Sequence, residues 1–306
     1  MSASTVSSTE QTALPHLETT QVQIKSILAA TDLSEPATTA LKIAAHIAKL
    51  FHSRLHVVYA VMPDIFMTDT TMLTSELRKI QTERAQQQLH EYMRGIPEVR
   101  TMLHEEVAIS GVPPDAIAGF VLKSAIDLVV MGSHGRGPTA KMVLGSIAES
   151  VIRHIHCPVL VAGPHCDPEF HPLRSIVLAT DLPPTSLRAA QYATSLAGQF
   201  GSSLTVAHVL KDHGVASGPI EENLIRKELR ELVPHDVELK KHLHIQINSG
   251  TAAEEIAHIA KRKKADLIVM GAHEDGTLAD HAPWATLSHV IREARCPVLV
   301  VQPHST

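Results

Sequence analysis

"SILAATDLSEPATTALKIAAHIAKLFHSRLHVVYAV", residues 26–61, decides the fold, because the chain repeats it as "SIVLATDLPPTSLRAAQYATSLAGQFGSSLTVAHVL" over residues 175–210. In each copy a short apolar run ends at Thr-Asp, a segment with apolar residues at helical spacing follows, and a second apolar run closes the unit. Runs that are apolar on both faces are predicted as strands of a parallel sheet, and the 3.6-residue periodicity between them as the crossover helix. The repetition continues downstream. "SGVPPDAIAGFVLKSAIDLVVMGSH" from Ser110 is answered by "SGTAAEEIAHIAKRKKADLIVMGAH" from Ser249, and "VIRHIHCPVLVAGPH" from Val151 by "VIREARCPVLVVQPH" from Val290. The offset falls from 149 residues early to 139 late, so the second copy is shorter in its middle.

Within the first copy the two periodicities alternate. "SILAAT" and "RLHVVYAV" are predicted strands, Leu73 to Met93 a long amphipathic helix, and "HEEVAIS" a third strand. A helix over "PPDAIAGFVLKSA", the strand "IDLVVMG", the helix "SIAESVIRHI" and the strand "PVLVAG" complete it. Strand–helix alternation with right-handed crossovers gives an α/β, doubly wound parallel sheet covered on both faces. The expected architecture is two tandem five-stranded sheets, each of order 3-2-1-4-5. The segment "GPHCDPEFHPL", residues 163–173, carries three prolines and separates the copies. Residues 1–22 are expected to be a flexible tail, 23–163 the first domain, 164–173 a linker and 174–306 the second domain. The two final strands, Pro158–Ala162 and Pro297–Val301, are apolar sheet edges. They are expected to bring the halves together as an intramolecular pseudo-dimer, with a homodimer as a further possibility.

Composition narrows the function classes. In 306 residues the hydrophobic share is 44%, the charged share 19% and the net charge −5, which is ordinary for a globular chain and lacks the basic excess of a nucleic-acid binder. Aromatics at 3% leave few stacking platforms. No apolar run reaches the roughly 18–20 residues of a membrane span. The first 22 residues are rich in Ser and Thr, hold no Lys or Arg and have no apolar middle, so a cytoplasmic location is expected. Cys157 and Cys296 each sit in "CPVL" before a strand, as small buried residues do, and Cys166 is left over. Three thiols make no disulfide framework.

In a sheet of order 3-2-1-4-5 a ligand is received beyond the carboxyl ends of the first and fourth strands, where the strand order reverses. Those ends carry Thr31-Asp32 and Met131-Gly132. The fourth strand runs into "VVMGSHGRGPTAKMVLGSIAES", residues 129–150. Gly132 and Gly135 allow close backbone approach. Gly145-Ser146 opens a helix, so free N–H groups and the positive end of its dipole face the loop, an arrangement that suits phosphate. Ser146 adds a hydroxyl, while His134, Arg136 and Lys141 keep the local field positive. Asp32 could accept hydrogen bonds from ribose hydroxyls or an adenine amino group. The loop is neither a P-loop, since G-x-x-x-x-G-K-[ST] is absent, nor the dinucleotide fingerprint, which follows a first strand.

"ATDLSEPATTAL", "VVMGSHGRG", the G-x2-G-x9-G-S spacing and "CPVLV" together resemble the universal stress protein family in its tandem two-domain form, over nearly everything after residue 24. The resemblance implies ATP or another adenine nucleotide at this loop, with or without Mg²⁺. Asp32 would meet the ribose or adenine end and Ala60 would flank the base. Gly132, His134, Gly135, Gly145, Ser146 and Ile147 would surround ribose and phosphates. With Ala30, Thr31, Met131 and Arg136 these form the candidate nucleotide-binding set. The implied role is a stress-responsive binding or signalling module. The alternative is a slow ATPase or an autophosphorylating enzyme, for which no general base or Mg²⁺-binding carboxylate pair is visible apart from Asp32.

The second copy departs from this pattern. Asp181, Met270, Gly271 and His273 are kept, but Glu274, Trp284 and Ala285 replace Gly135, Gly145 and Ser146. Glu274, Asp275 and Asp280 add carboxylates that repel a triphosphate. ATP is therefore expected in the first half only. Among the 21 histidines, His242 and His244 alternate along a strand and His154 and His156 flank another, with no partner at metal-ligand spacing. "KRKK", residues 261–264, suits a helix C-terminus. Met62, Met67 and Met72 mark a candidate lid or partner surface beside the first site.

Overall fold

The computed structural model describes residues 21–63, 71–135, 144–169, 172–182, 186–210, 219–234, 239, 241–272 and 282–303. In the first half β1 (Ser26–Thr31) leads through α1 (Glu35–Phe51) to β2 (Arg54–Val61), then α2 (Thr71–Arg94) and a single turn, α3 (Pro97–Arg100). β3 (His104–Ser110), α4 (Pro113–Lys123), β4 (Leu128–Gly132), α5 (Ser146–His154) and β5 (Val159–Ala162) follow. The second half repeats the scheme as β6 (Ser175–Ala179), α6 (Leu187–Phe200), β7 (Ser203–Leu210), α7 (Pro219–Glu231) and β8 (Leu243–Ser249). α8 (Ala252–Lys263), β9 (Leu267–Gly271), α9 (Ala282–Glu293) and β10 (Val298–Val301) complete it.

The strand order is β3-β2-β1-β4-β5-β10-β9-β6-β7-β8. Each half is thus a parallel 3-2-1-4-5 sheet. The two are fused into one ten-stranded sheet by an antiparallel seam that pairs Leu160 with Leu299, Val161 with Val298 and Val159 with Val300. Two rows of short apolar side chains close each other's bare edge. The helices divide cleanly between the faces. α1, α2, α3, α6 and α7 pack with Ile27, Ala29, Leu160 and Leu299 on one side. α4, α5, α8 and α9 pack with Leu28, Val129, Val161 and Val298 on the other. Both cores run through both halves, so apolar burial continues across the seam.

The repeat extends to backbone hydrogen bonding. The Asp127 carboxylate accepts from the Lys25 and Ser26 amides at 2.7 and 2.9 Å, and Asp266 accepts from Arg174 and Ser175 at 2.8 and 2.9 Å. Each bond pair fixes where a first strand enters its sheet. α4 ends two residues before its sequence pattern does, with Ala125 at φ 46°, and α8 stops at its counterpart Lys264, φ 49°. Further contacts bind the halves. Arg188 of α6 donates to the carbonyls of His156 and Gln302 at 3.0 and 2.8 Å. Phe51 meets Phe200 edge-on at 5.4 Å. At the end of the segment assigned above to a tail, the Val22 amide donates to Ser195 Oγ at 2.7 Å and its carbonyl accepts from Gln199 at 2.9 Å. Residues 1–20, Met67, most of the lid stretch and Glu274, Asp275 and Asp280 lie outside the described residues.

Candidate functional site

At the carboxyl end of β1 the chain makes the same turn in both halves. The Thr31 hydroxyl accepts from the Leu33 amide at 3.0 Å with Leu33 at φ 64°, and Thr180 accepts from Leu182 at 3.1 Å with Leu182 at φ 80°. A leucine in the left-handed region is strained, and such strain collects where side chains must be aimed. In the first half this turn presents Asp32, whose Oδ1 accepts from the Ser34 amide at 3.1 Å. Ser34 then caps α1 by accepting from Ala37.

The glycine loop closes against this turn. A Cβ on Gly135 would overlap the Asp32 carboxylate. One on Gly132 would stand 3.3 Å from the Pro36 carbonyl oxygen, and one on Gly145 3.0 Å from that of Ser133. The Gly145 amide donates to the Ser133 carbonyl at 2.8 Å, pinching the two ends of the loop together. His134 is oriented by a 2.6 Å hydrogen bond between its Nδ1 and the Ser133 hydroxyl. Gly145 is also the N-cap of α5. It has no side chain to occupy the first-turn amides, which stay available at the positive end of the helix.

These pieces enclose a cavity of about 590 Å³, within the range of small-molecule sites. Every residue of the candidate set lines it except Arg136, which with Lys141 lies outside the described residues. Ala30, Thr31 and Asp32 come from β1 and its turn, Ala60 from β2, and Met131 to Gly135 from β4. Gly145, Ser146 and Ile147 come from the start of α5. The sequence reading missed Ser133, Leu144, Pro113 and Ile117, which also line it. Pro113 and Ile117 begin the helix after β3, and β3 pairs its Ile109 with Ala60. The neighbour order of the strands was therefore the signal that placed α4 beside the site. Ser133 escapes notice because its backbone carbonyl closes the loop, and any residue has that group.

Elsewhere, a wider open cleft of about 1190 Å³ lies at the amino ends of the second half's strands. Charges of both signs line it, among them His165, Asp167, Lys261 and Glu293, and no glycine is among its lining residues. Among the described residues no group of three or more His, Cys, Asp and Glu is arranged to hold a metal ion. Cys157, Cys166 and Cys296 are free thiols. Burial pushes Cys157 and Cys166 up to about 12 and raises Cys296 as well, so all three stay protonated, as packing groups do.

In the second half Trp284, at the position of Gly145, sits under the Arg153 guanidinium of α5, 3.9 Å from the ring centre. Comparison with known proteins accounts for the repeat. The model of the universal stress protein family matches residues 23–163 and again 172–302. The chain belongs to the universal stress protein family. It carries two of the family's domains in tandem. A universal stress protein of Methanocaldococcus jannaschii is 36% identical over 141 residues, covering 45% of this chain and 81% of its own. One from Mycolicibacterium smegmatis is 24% identical over 291 residues, 90% of this chain and 97% of its own. The crystal structure of a universal stress protein from Archaeoglobus fulgidus covers 92% of this chain and 98% of its own, with a TM-score of 0.67 at 20% identity, and so shares the fold. No helix among the described residues of this tandem universal stress protein is long and apolar enough to cross a membrane.

Proposed function

We propose that the cavity of the first half holds an adenine nucleotide, ATP foremost, and that the protein acts as a cytoplasmic nucleotide-dependent binding or signalling module. One observation carries the reading. The open N-terminus of α5 and the three glycine contacts converge on a cavity at the switch point of the sheet, and a Cβ at any of those glycines would press on the Asp32 carboxylate or on the backbone that shapes the cavity. Amides of the first turn and the Ser146 hydroxyl would hold the phosphates. Asp32, the one acidic residue among the described lining, would accept from ribose or adenine. Ala60 and Met131 would flank the base.

The second half keeps the Thr180–Asp181–Leu182 turn but has Trp284 and Ala285 where the first has Gly145 and Ser146. A side chain at that position denies the loop the close approach that Gly145 makes to Ser133, and alanine removes the hydroxyl. Binding is therefore expected in the first half alone. Calorimetric titration of the whole chain with ATP, together with mass identification of nucleotide extracted from the purified protein, tests this. The expected result is a single ATP per chain. Two equivalents of similar affinity, or no binding by a nucleotide-free preparation, would overturn it.

A further inference from the structure

The backbone at Leu144 and Gly145 is held from two directions. The Leu144 amide donates to Ser288 Oγ of α9, across the seam, at 3.1 Å. The next amide, that of Gly145, donates within its own half to Ser133 at 2.8 Å. Two consecutive amides fixed by different halves set the direction in which the chain enters α5, and with it the aim of the Ser146 and Ile147 amides. A second contact lies about two turns further along α5. Trp284 of α9 sits under Arg153, which donates from Nε and Nη2 to Glu149 Oε1 at 3.1 and 2.8 Å. The Glu149 amide in turn donates to the Gly145 carbonyl at 2.9 Å.

The repeat makes this arrangement one-directional. Ser288 stands where the first copy has Glu149, Trp284 where it has Gly145, and Pro283 where it has Leu144. Proline has no N–H, so the first half cannot return the Leu144 contact, and Glu149 is engaged by Arg153. Ser288 and Trp284, the two residues of α9 that make these contacts, both differ from their counterparts. We infer that α9 is a positioning element for the nucleotide loop of the other half, with Ser288 fixing the Leu144 amide and Trp284 fixing Arg153. In this role the second domain braces the phosphate end of the first domain's site. The inference rests on the nucleotide reading of the cavity.

The full-length chain, its Ser288→Ala variant and Ser288→Thr, which keeps the hydroxyl, decide it. Two measurements are needed: amide hydrogen exchange at Leu144 and the first turn of α5 without nucleotide, and calorimetric titration with ATP and separately with adenosine. Losing one hydrogen bond that orders a phosphate cradle should weaken ATP about three- to tenfold. Adenosine, which lacks phosphates, should bind Ser288→Ala as it binds the parent. Exchange at Leu144 should quicken by about tenfold, and Ser288→Thr should restore both readouts. Unchanged exchange at Leu144 overturns the inference, as does quickened exchange with parental ATP affinity. An equal loss for ATP and adenosine also overturns it, because that marks a merely structural contact. A parent that binds neither ligand defeats the nucleotide reading instead, and the exchange arm still decides whether Ser288 holds the loop.

Discussion

A side chain at Gly145 would meet two backbone atoms, the Ser133 carbonyl oxygen at 3.0 Å and His134 Cα at 3.4 Å, and neither can rotate aside. Even a methyl group therefore forces the ends of the loop apart and turns the first-turn amides of α5. Gly145→Ala should weaken ATP binding about tenfold, close to 1.4 kcal/mol, with a cooperative melt retained. Parental affinity by calorimetry would show that these amides do not bind phosphate. Gly132, Gly135 and Gly145 were all legible in the sequence, since their spacing after an apolar strand has a physical reading. Ser133 and Leu144 were not, because the Ser133 carbonyl and the Leu144 amide that hold the loop are backbone groups, which leave no mark on residue choice. The same holds for Leu33, whose positive φ no sequence rule assigns to leucine.

At the level of elements, alternating periodicity gave the strands and helices of the first half and the repeat carried them to the second, while the order 3-2-1-4-5 was one doubly wound arrangement that connection rules allow and the structure has. The single-turn α3 after α2 had no periodic signal. The seam was legible as two apolar final edges, but the packing behind it was not. A Cβ on Gly163, just past β5, would collide with the Ile291 carbonyl of α9. Its counterpart, Gln302, instead donates to the Ile152 carbonyl of α5 at 3.2 Å. The same pseudo-twofold position thus brings backbone close on one side and spans a gap on the other. Gly163→Ala must push α9 away from β5, and overpacking of this kind costs about 1–3 kcal/mol. The urea midpoint should fall accordingly, while ATP affinity changes less than in Gly145→Ala. A variant as stable as the parent would mean that α9 shifts freely at this contact.

For the whole molecule, the decisive fact is that both cores pass through the seam. A unit that buries its apolar surface jointly with its neighbour loses that burial when the neighbour opens, so the two halves should unfold together. The chain has one tryptophan, Trp284, and it lies at the junction against Arg153. Its fluorescence therefore reports the junction, whereas far-ultraviolet circular dichroism reports helix and sheet everywhere. In urea the two signals should fall at the same midpoint. Leu160→Asp places a carboxylate in the buried Leu160–Leu299 pair, where an uncompensated charge costs several kcal/mol. The seam should then open first, and the fluorescence change should precede the dichroism change, dividing one transition into two. Were the variant to keep coincident transitions at the parental midpoint, the β5–β10 pairing would not be what unites the halves, and the contacts of Arg188, Gln302, Phe51, Val22, Ser288 and Trp284 would do so instead.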